Sequence, residues 1–368
     1  MQVRKSVLSV LLLGFGISGS VLAADVSIKG TLPGVVQLRD VNAFGPVTKQ
    51  IIFQRVILSP AAKQALAARL LTTKIAAMGL TVAPLPAQAS LGMNNVPVLD
   101  QGYHGTCVTF AVTGAYDAAM GETIKTASDD HYSELCSLEL GSTLEAQSPV
   151  DANGEHTYPS GWDGSWATIV LGQVKQHGLV TIEDQKTRGC SGVYEYPLHV
   201  ENDHGRAMSI ADYQGHSVKS DALPSYKVIL NPDDAFSDGT NLATVLTQVK
   251  AAVAAGHRVV FGTLLDVDRG ANGALGSYKA SNDTWMLTPD IAKDAKAGSI
   301  EAGHEMIITG YDDEAVVMGP KKEKHKGVLT LRNSWSEEAG DHGNYYMTYD
   351  HFKTLTLEAS EITPVAVK

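Results

Sequence analysis

Gln101-Gly102-Tyr103-His104-Gly105-Thr106-Cys107 is the stretch from which the rest of the chain is read. A glycine-rich turn delivers a thiol to the start of a helix expected over about 107–120 and stopped by Gly121. Backbone N–H groups at a helix N-terminus favour the thiolate, which is the nucleophilic form of cysteine. Gln101, six residues earlier, can return to the same spot as an amide donor. Together with the N–H of Cys107 it would hold a developing oxyanion. The turn alone leaves other readings of Cys107 open: a buried inert thiol, or half of a disulfide.

Two later segments supply partners. Gly303-His304-Glu305 opens a candidate strand, and Leu331-Arg332-Asn333-Ser334-Trp335 closes another. Neighbouring strands can bring His304 and Asn333 together. A histidine beside a thiol takes its proton and stabilises the thiolate as an ion pair. An asparagine oxygen on the other ring nitrogen fixes the tautomer, and Trp335 could shield that bond from water.

These segments resemble, in the same chain order, the papain family of cysteine peptidases. PVLDQGYHGTCVTFAV is similar to the family's approach to its central helix, GHEMIITGYDD to its histidine strand, and LRNSWSEEAGDHGNYYMTY to its Asn-Ser-Trp segment. The resemblance spans roughly residues 94–350. It implies Cys107 as nucleophile, His304 as general base and acid, Asn333 as orienter and Gln101 as oxyanion donor. Tyr132 to Cys136 is similar to the family's Ser-Glu-x-x-Leu-x-x-Cys helix in compressed form, and Gly161-Trp162-Asp163-Gly164 stands where the family has a glycine pair. On that basis Gly161, Gly164, Gly303 and Trp335 are assigned to the substrate cleft. The three cysteines are an odd number for an exported chain, so at least one thiol is left over. The resemblance pairs Cys136 with Cys190 and leaves Cys107 free.

The chain departs from the family pattern. His104 stands where most members have a cysteine, and Val108 follows the nucleophile in place of tryptophan. His304 and Asn333 follow Cys107 by 197 and 226 residues, against the usual gap of roughly 130–150. Insertions are expected near 197–240 and 268–300.

The expected fold class is α+β. Candidate helices over about 107–120, 164–176 and 241–255 precede candidate strands at 258–265, 305–311, 328–332 and 345–349, which suggests two lobes. By resemblance these are a helical left lobe and an antiparallel β right lobe, residues 94–368. Residues 179–240 read as loop-rich, and Pro320 to Lys326 as a solvated loop.

Residues 1–23 read as a secretory signal peptide: Arg4 and Lys5, an apolar run from Val7 to Ile17, and Val21-Leu22-Ala23 before the cut. That implies secretion, extracellular or periplasmic, with no membrane association after cleavage. Residues 24–93 form a candidate prosegment, read as a β-hairpin and helix followed by a linker. Strand-like Val26 to Ile28, Val35 to Leu38 and Gln50 to Leu58 are separated by turn signals at Gly30 and Pro33-Gly34. A helix then starts at Ser59-Pro60, carries Leu66, Leu70, Leu71 and Ile75 on one face, and ends at Gly79. This segment does not match the helical prosegment of the cathepsin L type.

The chain has 368 residues and a formal charge of −11, which disfavours nucleic acid as a partner. His304-Glu305 begins a zincin-like string, but Ile308 stands where the second ligand would be, and no metal or other cofactor is expected. The sequence therefore reads as a monomeric secreted bacterial cysteine endopeptidase, made as a proenzyme. Its partners would be peptide or protein substrates and its own prosegment as intramolecular inhibitor. The alternative is a catalytically silent papain-like module that binds peptides or a host surface.

Overall fold

The computed structural model describes residues 25–42, 45–72, 84–120, 131–152, 154–199 and 207–365. The expected signal peptide and its cleavage site, and Ile75 and Gly79 of the first helix, lie outside them.

The chain opens with a long hairpin, β1 (Val26–Asn42) and β2 (Gly45–Leu58), followed by helix α1 (Pro60–Thr72). The hairpin is antiparallel, from Val26 opposite Leu58 to Asn42 opposite Gly45. The hairpin and helix expected from the sequence are present, and only the division of the first strand at Gly30 and Pro33-Gly34 is corrected. Gly30 sits at φ +76° in an irregularity of the pairing, and Pro33-Gly34 runs through the strand. Among the described residues β2 is the one named strand paired with β1, so the missing N–H of Pro33 breaks no ladder with a further strand. On α1, Ser59 Oγ accepts from Ala62 N at 3.0 Å, and Pro60 is the first helical residue.

The left lobe is built on α2 (Cys107–Ala119), whose residues are all buried. A helix apolar on every side belongs at the centre of a lobe. Around it lie α3 (Glu134–Gln147), α4 (Ala167–His177), α5 (Ile182–Arg188) and α6 (Ile210–His216). One core joins α2 and α4 through Val108, Val112, Ala115, Val170 and Val174. A second surrounds Leu135, Leu138, Trp162 and Val180. A disulfide joins Cys136 to Cys190 there, with Cα atoms 5.0 Å apart.

The right lobe is a sheet in the order β4-β10-β5-β7-β8-β9-β6. Its strands are β4 (Ser225–Leu230), β5 (Arg258–Leu265), β6 (Thr284–Trp285), β7 (Ala302–Met318), β8 (Lys324–Arg332), β9 (Asn344–Thr348) and β10 (Thr356–Thr363). All pairs along that path are antiparallel except β6 with β9. The short β3 (Gln88–Ser90) also pairs with β7. Three helices flank the sheet: α7 (Leu242–Ala254), α8 (Pro289–Ala297) and α9 (Tyr349–Leu355). Leu242, Val245, Leu246, Val249 and Val253 of α7 form its buried stripe. Asn241 caps that helix, accepting from Ala243 N at 2.9 Å.

Residues 179–240 hold α5, α6 and β4, so they are less loop-rich than the sequence suggests. Of the charge run, Lys324 to Lys326 belong to β8, with His325 buried and Lys324 and Lys326 exposed.

The hairpin does not stand apart. Ile51 and Phe53 enter the right-lobe core beside Trp335 and Tyr345, while Val56 and Leu58 join α1 and α8 in another cluster. Each such side chain contributes about 1.5–3 kcal/mol on full burial. The segment that looks too small to be stable alone borrows its core from the rest of the chain.

Candidate active site

Cys107 is the first residue of α2, and His304 lies near the start of β7. Asn333 follows β8 directly, and Trp335 is bridged to Asp100 in the segment that leads into Gln101. β7 and β8 are paired in register with Ile307 opposite Arg332, which sets the two loop-facing ends side by side.

The ring of His304 bonds Asn333 Oδ1 through Nε2 at 2.8 Å. Trp335 covers this bond, its ring stacked on the imidazole at 4.6 Å and 23°. Ser334 links the set to the oxyanion turn. Its N–H donates to Asn333 Oδ1 at 2.8 Å and its hydroxyl to Gln101 Oε1 at 2.8 Å. Gln101 Nε2 in turn donates to His104 O at 2.9 Å. The thiol of Cys107 meets the backbone N–H groups of Glu305 and Val108. That puts the sulfur against the residue next to His304. His304 Nδ1 itself has no hydrogen-bond partner among the described residues.

Cys107 and His304 are both fully buried, at 0% exposure. Burial pushes the Cys107 thiol up to about 12 and draws the His304 imidazole down to about 4, the latter against the favourable bond to Asn333. Removing a charge's water penalises thiolate and imidazolium alike. In this arrangement the two groups are a neutral thiol and a neutral ring.

The cover is β2. Gln54 and Arg55 pair antiparallel with Gly303 and Ala302 of β7, and Val56 N donates to Glu301 O at 2.7 Å. Gln54 is 1% exposed and reaches across to the opposite wall, where its Oε1 accepts from Ser165 N at 3.0 Å. Phe53 meets His304 and Trp335 edge-on, each at 5.7 Å between ring centres. The carbonyl of Ile52 lies 3.4 Å from Gln101 Nε2, at the amide expected to receive an oxyanion. Lys49 pairs with Asp100, and Arg55 Nε with Glu301 Oε2 at 2.8 Å.

The glycines assigned to the cleft divide. Gly164 and Gly303 both abut Gln54, and a Cβ on either would stand under 3 Å from a β2 side chain. Gly161 does not reach β2 among its nearest neighbours; it faces Leu138 and Thr109 of the left lobe.

Several residues of this site escape a reading of the sequence. Ile52, Phe53 and Gln54 belong to it, and a polar Gln54 amid the apolar run QIIFQRVIL is the one signal that points to a two-sided environment. Tyr196 carries no such signal. Its hydroxyl donates to Gln101 O at 2.9 Å and lies 2.9 Å from Thr106 Oγ1, bracing the turn before Cys107. Tyr196 also stacks on Trp162, and both rings meet His104 edge-on. Aromatic packing thus fills the place of His104, where a cysteine would have anchored the turn covalently.

No group of three or more metal-ligating side chains occurs among the described residues. No helix among them is long and apolar enough to cross a membrane. No protein-family model matches the sequence, and no curated protein does. Solved structures similar to it include xylellain, a cysteine protease from Xylella fastidiosa, at 18% identity and TM-score 0.49, over 77% of this chain and 88% of that one. Procathepsin L 3 of the Tenebrio molitor larval midgut is similar at 17% identity and TM-score 0.44, over 82% and 79%. The proform of the ragweed pollen cysteine protease Amb a 11 is similar at 15% and 0.40, over 81% and 73%. In its three sequence motifs this chain resembles the papain-like cysteine proteases.

Proposed function

We propose that the chain is the proenzyme of a secreted papain-like cysteine endopeptidase, with residues 24–93 as prosegment and residues 94–368 as peptidase domain. The observation that carries the reading is the His304–Asn333 hydrogen bond under Trp335, with the Cys107 sulfur against the neighbouring Glu305 N–H. A structural histidine needs none of these three features together.

In the open enzyme, His304 takes the Cys107 proton and the thiolate attacks the peptide carbonyl carbon. The carbonyl electrons move onto oxygen, where the Gln101 amide and the Cys107 N–H stabilise the oxyanion. The tetrahedral centre collapses with cleavage of the C–N bond, and His304 protonates the leaving amine. Water, deprotonated by His304, then hydrolyses the thioester and returns the thiol. Asn333 holds the ring's tautomer throughout. Gly164 and Gly303 line the cleft because a side chain there would collide with the bound strand.

The hairpin supports the proenzyme half of the reading. It bridges both walls through Gln54, sets the Ile52 carbonyl against Gln101, and covers His304 with Phe53. A substrate cannot share that space.

The test is hydrolysis of a peptide library by the matured wild-type protein and by Cys107→Ala, with stoichiometric labelling by a thiol-reactive epoxide. Cleavage and labelling by wild type, both absent in the variant, are expected. An open, labelled but inert wild type would favour the silent binding module instead.

A further inference from the structure

Next to His304 in sequence and one strand beyond, two carboxyl groups lie buried beside the same glycine of the sheet. Glu305 on β7 is 1% exposed and Glu358 on β10 is 0% exposed. The strand between them, β5, contributes Gly262, which is paired with both residues. A Cβ at Gly262 would stand 2.5 Å from Glu305 Oε2 and 3.1 Å from Glu358 Cγ. The absent side chain is the room the two carboxyls occupy.

Their hydrogen bonds are unequal. Glu358 Oε1 accepts from Ala167 N at 3.0 Å, and the Thr168 N–H also points to this carboxylate. These are the first amides of α4, whose own preceding residue, Trp166, supplies no side-chain cap. A helix N-terminus favours a negative charge, so the ionised form belongs on Glu358. Neither oxygen of Glu305 meets a donor among the described residues, and the carboxyl group that shares its space beside Gly262 is that of Glu358. No cation among the described residues partners either group. Two ionised carboxylates in such contact cannot coexist away from water, so one must keep its proton.

We propose that Glu305 is a neutral acid donating to the Glu358 carboxylate, and that this pair is a positioning device. It pins the histidine strand of the right lobe to the start of α4, which follows the cleft wall at Gly164 and Ser165. The positioning role rests on the peptidase reading; the shared proton does not.

The groups facing the pair are few. From α2 comes the Cys107 thiol, which both carboxyls oppose as a thiolate. From α4 come the two amides, from β7 the adjoining His304, and from β5 no side chain at all. Burial and the neighbouring charge hold the Glu305 carboxyl well above its usual range. The sign follows. Between the unfolded carboxyl value near 4.5 and its raised folded value, the native state binds the extra proton, so native stability falls as pH rises through that window.

The experiment uses the full chain carrying Cys107→Ala, which removes turnover and the facing thiol. Thermal midpoints are measured from about pH 5 to about pH 8 with and without Glu305→Gln, which keeps a donor but cannot ionise. The midpoint of the Glu305-containing chain should drop by roughly 5 °C more than that of the Glu305→Gln chain over this range. Infrared difference spectra at neutral pH should contain a buried protonated-carboxyl band that Glu305→Gln removes and Glu358→Gln retains. Parallel midpoint curves, or a band that follows Glu358 instead, overturn the assignment. If the Glu305→Gln chain does not fold, the Glu358→Gln spectrum still decides, since loss of the band there refutes Glu305 as the acid. In the matured enzyme, Glu305→Ala should lower kcat/KM by roughly tenfold and Glu305→Gln should restore it; equal losses in both overturn the positioning role. Absence of hydrolysis by wild type would remove the peptidase reading and leave the infrared and thermal results standing.

Discussion

At the scale of single residues, the site holds its chemistry in a silent form. A thiol raised to about 12 and an imidazole lowered to about 4 are both uncharged across the neutral range. The nucleophilic ion pair needs water, or direct contact between sulfur and Nδ1, to form. Gln54, buried between Gly164 and Gly303, helps hold the hairpin over the site. Its Oε1 accepts the Ser165 N–H inside a dry interface, and loss of that acceptor leaves a buried donor unpaired, at about 1–3 kcal/mol. Gln54→Ala should therefore shift the closed-to-open balance by about tenfold, at 1.4 kcal/mol per decade. The check is the rate of Cys107 alkylation in the full-length chain at fixed pH, expected to rise by about that factor. An unchanged rate would mean that the hairpin is held from elsewhere.

At the scale of elements, the hairpin's hold should depend on pH through His304. The ring is neutral down to about 4 when covered, and would titrate near 6.5 when exposed. A depressed folded value means that the closed form has its full stability above about 6.5 and loses it as pH falls toward 4, by about 1.4 kcal/mol per unit. Hydrogen exchange at the Phe53 and Gln54 amides, corrected for intrinsic rates, should lose roughly fiftyfold protection between about pH 7 and pH 4.5. His304→Phe should flatten that dependence. The elements differ in how far the sequence discloses them. α7 is legible because its apolar spacing agrees with its burial, and α2 because a glycine turn precedes it and Gly121 follows. β5 is legible as a mainly apolar, β-branched run, RVVFGTLL, buried throughout. β10 is not, because TLEASEIT buries Glu358, Ser360 and Thr356 where a strand core is ordinarily apolar. β1 reads as divided because Pro33-Gly34 normally ends a strand, and only its edge position tolerates them. Cys107, Gln101, His304 and Asn333 are legible from local motifs. Gln54, Tyr196 and Glu358 act through tertiary contacts that no local spacing encodes.

At the scale of the whole molecule, the two walls meet in one shared core, where Val108 and Val112 of α2 pack with Val260 of β5 and Ile307 of β7, and each wall also has a cluster of its own. The right wall rests on the extended sheet and its large apolar cluster. The outer part of the left wall rests on a smaller cluster, in which Trp162 packs with Leu135, Leu138 and the Cys136–Cys190 bridge. Trp162 also stacks on Tyr196, whose hydroxyl braces the Gln101 carbonyl, so this cluster is continuous with the oxyanion turn. A bridge spanning 54 residues removes chain freedom from the unfolded state worth about 4 kcal/mol in the loop-closure model. A small core gains proportionally more from such a tie than a large sheet does. The double substitution Cys136→Ala/Cys190→Ala, made in the Cys107→Ala chain to prevent thiol exchange, should lower the unfolding free energy by up to about 4 kcal/mol in denaturant. The loss should be concentrated in the left lobe, with exchange protection falling around Leu135, Trp162 and Val180 before it falls in β5 and β7. Uniform loss across both lobes would mean that the walls unfold as one unit, and that the left wall takes its rigidity from the sheet and not from the bridge.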